Sequence, residues 1–180
     1  AVVTSDMEEA LAEAEIIMVV TPATAHRAIA AQAASYLKDG QIIVLNPGRT
    51  GGVLEFVQVL QEFECEADVT VSEAETLIYA SRTEGPAQSR IFRIKEAVPL
   101  AALPATRTKQ VLDALHPAYP RFIDGISVLH TSMNNMGAIF HPALTILNAA
   151  RIESTTGEYQ FYIEGVTPTV ACALEALDRE

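Results

Sequence analysis

Two short runs of mostly apolar residues constrain the fold of this chain more than any other feature. Ile16–Val20 and Gln41–Leu45 lack the alternation of a half-exposed strand, which predicts strands that are buried on both faces. Between them, an alanine-rich stretch over residues 24–38 predicts a helix. Because strands that are separated by helices usually pair in parallel, the sequence predicts an α/β fold with a parallel sheet.

The alternation of helices and strands continues on both sides of these runs. Residues 1–5 look like the remnant of a strand in front of a helix, which predicts a sheet domain that is incomplete at its N-terminus. The strands predicted at Leu77–Ala80 and Ile91–Lys95 flank a Gly85-Pro86 turn, which favours an antiparallel pair. The further elements are a helix from Ser5 to about Ala14, a helix over residues 53–63, strands at Val69–Val71, Leu77–Ala80 and Ile91–Lys95, and a helix over residues 105–115.

The last third of the chain predicts an all-α region. Residues 128–153 form a long apolar stretch that predicts one helix. We expect a bend at His141, because Pro142 disfavours helical geometry in the residue before it. An extended segment at Phe161–Glu164 is expected to lead into a second helix over residues 166–179.

A loop of turn-forming residues precedes this region and contains Pro117, Pro120 and Gly125. We therefore predict two domains, over residues 1–124 and 125–180. The first holds the parallel sheet, and the second is the start of a helical domain.

Composition argues against several classes of function. The formal net charge is −11, which disfavours nucleic-acid and anionic-membrane partners. The apolar runs are interrupted by polar residues or proline and are too short to span a bilayer. Cys65 and Cys172 stand far apart without metal-ligand spacing, which favours a reduced, cytoplasmic protein and predicts no metal site.

Ligands of parallel α/β sheets bind beyond the carboxyl ends of the strands. Three segments of this chain stand at such ends: Thr21–His26, Asn46–Gly52 and Ser72–Thr76. The second is rich in glycine, which allows a ligand to approach the backbone closely, and it opens a helix, whose N-terminus attracts anions. A Gly-x-Gly-x-x-Gly fingerprint is absent from the sequence, so an ordinary strand-to-helix turn stays an alternative.

The candidate side chains also have purely structural interpretations. His26 either faces a ligand or is an exposed helix residue. We expect Glu73 and Glu75 to face different sides of an extended segment, so that one can bind an amino group in a cleft while the other is a surface residue. His141 can transfer a proton near neutral pH or be a core histidine. Three arginines suit either a substrate carboxylate or surface ion pairs: Arg82, Arg90 and Arg151.

Several of these motifs together resemble the opine dehydrogenase family, the octopine and nopaline dehydrogenases. The helical region carries the more specific part of the resemblance, in Asn135 with His141-Pro142, in Leu147–Ala149 and in Phe161–Ala171. The first part of the chain is similar to the second half of the family's nucleotide-binding domain at Thr21–His26, Asn46–Gly52 and Glu75–Arg82.

The resemblance implies a Rossmann-like domain followed by a helical domain, and an enzyme that joins a 2-oxo acid to an amino acid or another amine. NADH or NADPH would donate the hydride that reduces the imine, while His141 acts as the acid/base. The loop at Asn46–Gly52 would lie near the nicotinamide half of the cofactor. We assign Asn135, Glu75 and Tyr162 as substrate contacts, and Pro22, His26, Asn46, Pro47 and Gly48 as cofactor contacts.

The family's phosphate-binding loop is expected before residue 1, and the aspartate that pairs with the histidine beyond residue 180. The choice between NAD and NADP and the identity of the amine therefore stay open. Two other functions stay open as well. One is a carbonyl reductase of the ketopantoate reductase or hydroxy-acid type, which the lack of lysine in residues 128–153 disfavours. The other is a non-catalytic dinucleotide-binding module. The apolar residues 128–150 suit either a core or a homodimer interface.

Overall fold

The computed structural model describes residues 2–179. Two compact units divide after Asn134, whereas the sequence places the boundary after residue 124. In the first unit the strands are β1 (Ile16–Val19), β2 (Ile42–Leu45), β3 (Thr70–Ala74), β4 (Tyr79–Gly85), β5 (Gln88–Ile94), β6 (Val98–Leu103) and β7 (Phe122–Asp124). The helices of this unit are α1 (Met7–Leu11), α2 (His26–Ala33), α3 (Gly52–Glu62), α4 (Thr108–Leu115) and α5 (Val128–Met133). The second unit contains α6 (Met136–Leu147), α7 (Ala149–Thr155), α8 (Phe161–Glu164) and α9 (Pro168–Asp178).

Five strands form the main sheet, in the order β1-β2-β3-β6-β7. Strands β1, β2 and β3 pair in parallel, which confirms the predicted α/β fold. Strand β6 runs antiparallel to β3 and parallel to β7. In the register of the three parallel strands, Val19 lies opposite Leu45, and Leu45 lies opposite Glu73. The carboxyl ends of these strands therefore meet at one edge of the sheet.

Strand β2 shows why this sheet is buried on both faces. Ile43 and Leu45 belong to one core cluster, which contains residues of α2 and α3 such as Phe56. The alternate residues, Ile42 and Val44, belong to a second cluster, which contains residues of α4. Successive side chains of a strand point to opposite faces, so helices cover both sides of the sheet.

Strands β4 and β5 form a separate two-stranded antiparallel ribbon, which confirms the predicted pair although both strands are longer than expected. Their side chains are mostly exposed. Strand β6, in contrast, is almost wholly buried, and the sequence analysis did not predict it. Its proline and alanine residues weaken the β signal, because strand propensity is highest for β-branched and aromatic residues.

The single helix predicted over residues 128–153 is wrong. The segment forms α5, α6 and α7, with interruptions at Asn134–Asn135 and at Asn148. Asparagine side chains compete with the backbone for hydrogen bonds and favour helix ends. Helix α6 continues through Pro142, so the helix is not interrupted at His141.

The segment at Phe161–Glu164 is a short helix, so the prediction of an extended segment is also wrong. Helix α9 confirms the last predicted helix: Pro168 is its first residue, and the Thr167 hydroxyl accepts a hydrogen bond from the Val170 N–H at 3.4 Å. Within the second unit, Leu144 of α6 and Val170 of α9 are the buried apolar residues among those described.

Candidate functional site

A cavity of about 470 Å³ lies at the carboxyl edge of β1 and β2. The segment after β1 forms one wall, and the loop after β2, together with Leu77, forms the other. The lining residues are Val20, Thr21, Pro22, Ala23, Thr24, Asn46, Pro47, Arg49 and Leu77. This is the edge at which ligands of α/β sheets bind.

Two buried polar atoms of the lining residues have no hydrogen-bond partner among residues 2–179. They are the Thr21 Oγ1 and the Asn46 Oδ1. Buried polar groups nearly always have a partner, so an orphaned pair in one cavity indicates a place for polar atoms of a ligand. The apolar side chains of Val20, Pro22 and Leu77 supply a surface for a flat ring beside them.

The loop between β2 and α3 has an unusual backbone. Arg49, which lines the cavity, has a φ of 62°, and Gly51 has a φ of 75°. Left-handed geometry is uncommon for an arginine, and such residues persist where their surroundings hold them in place. Hydrogen bonds hold this loop at both ends: the Gly48 N–H donates to the Ala74 carbonyl at 3.0 Å, and the Gly51 N–H donates to the Ser132 Oγ at 3.0 Å.

Two residues assigned to the cofactor do not line the cavity. The ring of His26 is wholly buried, and neither ring nitrogen has a partner among the described residues. Burial lowers the pKa of His26, and the negative charge of Glu55 opposes this shift. Gly48 lies against the side chain of Glu73, which occupies the space that a Cβ would need. Pro22, Asn46 and Pro47 are the assigned residues that line the cavity.

Glu73, within strand β3, and Glu75, directly after the strand, have very different surroundings. Glu73 is wholly buried, whereas Glu75 is half-buried and accepts a hydrogen bond from the Asn134 Nδ2 at 3.0 Å. Lys95 lies close to Glu75. Burial lowers the pKa of Lys95, the negative charge of Glu75 raises it, and the positive charge of Arg49 lowers it. Glu75 therefore belongs to a small group of charges near the cavity, although it does not line the cavity.

Sequence reasoning named Glu73 only as a possible contact for an amino group and missed its role as the centre of a buried hydrogen-bond network. Its carboxylate accepts hydrogen bonds from the Val53 N–H at 3.0 Å and from the hydroxyls of Thr131 and Ser132 at 2.7 and 2.8 Å. Burial raises the pKa of Glu73, and these three donors oppose the shift. The available signal was the charge itself, because a glutamate in a strand that is buried on both faces must have polar partners.

In the second unit, His141 lies on α6 with its side chain exposed. Its Nδ1 is 2.9 Å from the carbonyl oxygen of Gly137, one turn earlier in the helix. A carbonyl oxygen only accepts hydrogen bonds, so Nδ1 carries a proton in this arrangement. Nε2 is the ring nitrogen that does not contact this carbonyl.

Aromatic rings surround the His141 imidazole. Phe140 and Tyr162 meet it edge to face, with ring centroids 5.8 and 5.9 Å away, and these two rings stack on each other at 6.4 Å. Tyr162 is about half exposed, at 53%. Asn135, the third residue assigned to the substrate with Glu75 and Tyr162, immediately precedes α6.

The three candidate arginines occur in different settings. Arg151 forms an ion pair with Glu164 at 2.7 Å, and its guanidinium lies over the ring of Tyr159. Arg90 forms a looser pair with Glu84 at 3.5 Å on the exposed ribbon, where Arg82 lies opposite it. The guanidinium of Arg151 is therefore already paired with side chains of the second unit.

Residues 2–179 contain neither a cluster of metal ligands nor a membrane-spanning helix. No group of three histidine, cysteine, aspartate or glutamate side chains in this part of the chain could hold a metal ion. Among the helices of the same residues, none combines the length and the apolar character that a membrane span requires.

Comparisons with known proteins agree with one another. The family model described as NAD/NADP octopine/nopaline dehydrogenase, alpha-helical domain, matches residues 125–180. An opine dehydrogenase of Arthrobacter sp. (strain 1C) is 42% identical over 177 residues, which cover 98% of this chain and 49% of that protein.

Solved structures show the same fold. An octopine dehydrogenase in complex with NADH and agmatine matches with a TM-score of 0.75 at 24% identity, over 99% of this chain and 45% of that one. An octopine dehydrogenase structure with NADH and pyruvate matches with a TM-score of 0.69 at 25% identity, over 88% of this chain and 40% of that one. The chain therefore spans about half the length of the relatives that it matches.

Proposed function

We propose that this chain, which belongs to the opine dehydrogenase family, is part of an NAD(P)H-dependent oxidoreductase. The complete protein would reduce the imine that forms between a 2-oxo acid and an amino acid or another amine. The observation that carries the proposal is the arrangement of His141, whose Nδ1 is engaged with the Gly137 carbonyl and whose Nε2 is left for proton exchange.

The cavity at the edge of the sheet is our candidate for part of the dinucleotide site. It fits such a ligand because its lining combines apolar side chains with the orphaned Thr21 Oγ1 and Asn46 Oδ1. Pro22, Asn46 and Pro47 would hold the cofactor, and Arg49 would lie beside it. When bound, NADH or NADPH supplies the hydride.

His141 would act through Nε2 alone. In its imidazolium form the ring keeps the Nδ1–H bond to Gly137 and can donate the Nε2 proton to the keto oxygen or the imine nitrogen. The neutral ring that results has its lone pair at Nε2 and can take up a proton for the next turnover. The aromatic contacts of Phe140 and Tyr162 would keep the ring in one orientation.

Three further residues are proposed as substrate contacts. Glu75 has a half-buried carboxylate, which suits a cationic amine. Asn135 and Tyr162 have side chains that can bond polar groups of the substrate. We also propose that residues 125–180 are the start of the helical domain. Homodimer formation and a cytoplasmic location stay predictions.

The test is NAD(P)H oxidation by the complete protein with a 2-oxo acid, with and without a panel of amines. We expect oxidation to require both co-substrates. Oxidation with the oxo acid alone would indicate a simple carbonyl reductase. Dinucleotide binding without oxidation in any combination would indicate a non-catalytic module.

A matched pair of variants tests the role of His141. We expect His141→Gln to lower kcat by about 10²- to 10⁴-fold, the usual contribution of a positioned acid or base. His130→Gln is the control, because His130 is also an exposed helical histidine. Equal activity of the two variants would contradict the assignment.

A further inference from the structure

We propose that Glu73 is a positioning residue of the dinucleotide site, whose buried carboxylate holds the loop over residues 46–52 against β3 and α5. This inference rests on the proposed function, because the loop matters to the extent that it contacts the cofactor. Glu73 itself does not line the cavity. It acts through the backbone of the loop that carries Asn46, Pro47 and Arg49 to the lining.

A buried carboxylate needs compensation, since removing a charge from water is costly unless hydrogen bonds or an opposite charge replace the water. Within residues 2–179, no lysine or arginine forms an ion pair with Glu73. Hydrogen bonds provide the compensation instead. One oxygen accepts from the Thr131 and Ser132 hydroxyls, and the other accepts from the Val53 N–H.

These donors come from the two segments that flank the loop in space. Val53 is in the first turn of α3, directly after the loop, so the carboxylate neutralises the positive end of that helix. Thr131 and Ser132 are consecutive residues of α5, more than fifty positions further along the chain. One carboxylate therefore ties three elements together: β3, α3 and α5.

Ser132 extends this connection to the loop itself. Its hydroxyl donates to Glu73 at 2.8 Å and accepts from the Gly51 N–H at 3.0 Å. At the other end of the loop, the backbone of Gly48 lies directly on the Glu73 side chain, where any larger residue would overlap it. Loss of the carboxylate would leave the Val53 N–H without its acceptor and would remove the support beneath the loop.

The test compares Glu73→Ala with Ser72→Ala in the complete protein. Ser72 is a matched control: it is the neighbouring residue of β3, is also wholly buried, and donates its hydroxyl to the Ile43 carbonyl at 2.9 Å instead of to the loop. Loss of a hydrogen bond to a charged group commonly changes an equilibrium constant by about tenfold or more. We expect Glu73→Ala to raise the Kd for NADH or NADPH by that factor and Ser72→Ala to change it less than about twofold.

Two further variants separate positioning from general stability. Ser132→Ala removes the hydroxyl that links Gly51 to Glu73, and it should raise the same Kd in a protein that folds normally. Glu73→Gln should restore most of the affinity, because the amide oxygen can accept from the Val53 N–H while its NH₂ donates to the two hydroxyls. Equal changes of Kd in Glu73→Ala and Ser72→Ala, or none in either, would overturn the proposal.

Hydrogen exchange provides a readout that needs no ligand. The amides of Gly51 and Val53 should exchange faster in Glu73→Ala and in Ser132→Ala than in Ser72→Ala. If the wild type binds neither dinucleotide, the proposed function fails, and these two amides still decide whether Glu73 holds the loop. Unchanged exchange in all three variants would refute the positioning role.

Discussion

The first unit buries polar groups deep in its structure and bonds most of them, whereas the second unit leaves its proposed catalytic histidine exposed on a helix. Glu73 is wholly buried and has three donors, while His141 has a single backbone contact and aromatic neighbours. The first unit also packs two core clusters around its sheet. In the second unit Ile146 and Ile163 are 73% and 72% exposed.

The buried hydrogen-bond network and the exposed histidine suit two different roles. A buried network of hydrogen bonds holds backbone in place, which suits a loop that must present fixed contacts to a ligand. An exposed imidazole exchanges protons readily with its surroundings, which suits an acid/base.

The largest effect is expected for truncation of the first unit's core. Phe56 is 1% exposed, so Phe56→Ala should lower the free energy of unfolding by about 3–5 kcal/mol. Ile163→Ala, at an exposed position of the second unit, should change it by less than about 0.5 kcal/mol. Chemical denaturation measures both. A large loss for Ile163→Ala would contradict the contrast, because it would show that this side chain is covered in the complete protein.

The next effect concerns the close contact between Gly48 and Glu73. Gly48→Ala places a Cβ in the space of the Glu73 side chain and should cost about 1–3 kcal/mol, as overpacking does. Gly85→Ala is the control, since its nearest neighbour is the flexible end of Gln88 at 3.3 Å. Thermal unfolding compares them, and equal midpoints for the two variants would show that the loop yields easily.

Two carboxylates, Glu73 and Asp68, should make the stability of the protein depend on pH in opposite directions. Burial raises the pKa of Glu73 in the folded state, so its contribution is present below the pKa of the unfolded state and is lost as pH rises through the folded pKa. The stability of the wild type relative to Glu73→Gln should therefore fall as pH rises above the pKa of the unfolded state.

Asp68 should behave in the opposite way. Arg107 pairs with this exposed carboxylate and lowers its pKa, so the contribution of Asp68 is present above the unfolded pKa and is lost as pH falls through the folded one. The stability of the wild type relative to Asp68→Asn should fall as the solution becomes acidic. Denaturation at a series of pH values measures both slopes, and slopes of the same sign would refute the assignment.

The smallest effect is expected for ion pairs near the surface. The side chains of Arg151 and Glu164 are 38% and 45% exposed, so Arg151→Ala should lower stability by at most about 1 kcal/mol. Arg90→Ala on the ribbon should have a smaller effect, because its pair is longer and more exposed. If Arg90→Ala proves the more harmful, the ribbon has a partner in the complete protein that needs this charge.

The sheet could be predicted from the sequence because its signal is local. The continuous run at β2 is buried on both faces, as expected, and the Thr167-Pro168 pair marks the start of α9. The same expectation is wrong for β1, which lies at one end of the strand order and is only half-buried over Ile16–Met18. The carboxyl edge of the sheet follows from the same pattern, which therefore also predicts the two segments that form most of the cavity lining. Helix ends were less predictable: Asn134, Asn135 and Asn148 divide an apolar stretch that has the composition of one helix.

The sequence by itself determined the alternation of strands and helices around β1 and β2 and the position of their carboxyl ends, because these depend on residues that are neighbours in the chain. Only the tertiary structure decided that Glu73 is buried while Glu75 is not, and that His26 lies in the core. Our expectation that the two glutamates face different sides is wrong, because residues two apart along a strand share a face. Alternation also does not state what covers each of them. Thr131 and Ser132 cover Glu73 from α5, and contacts across such a separation follow from the packing of whole elements rather than from any local pattern.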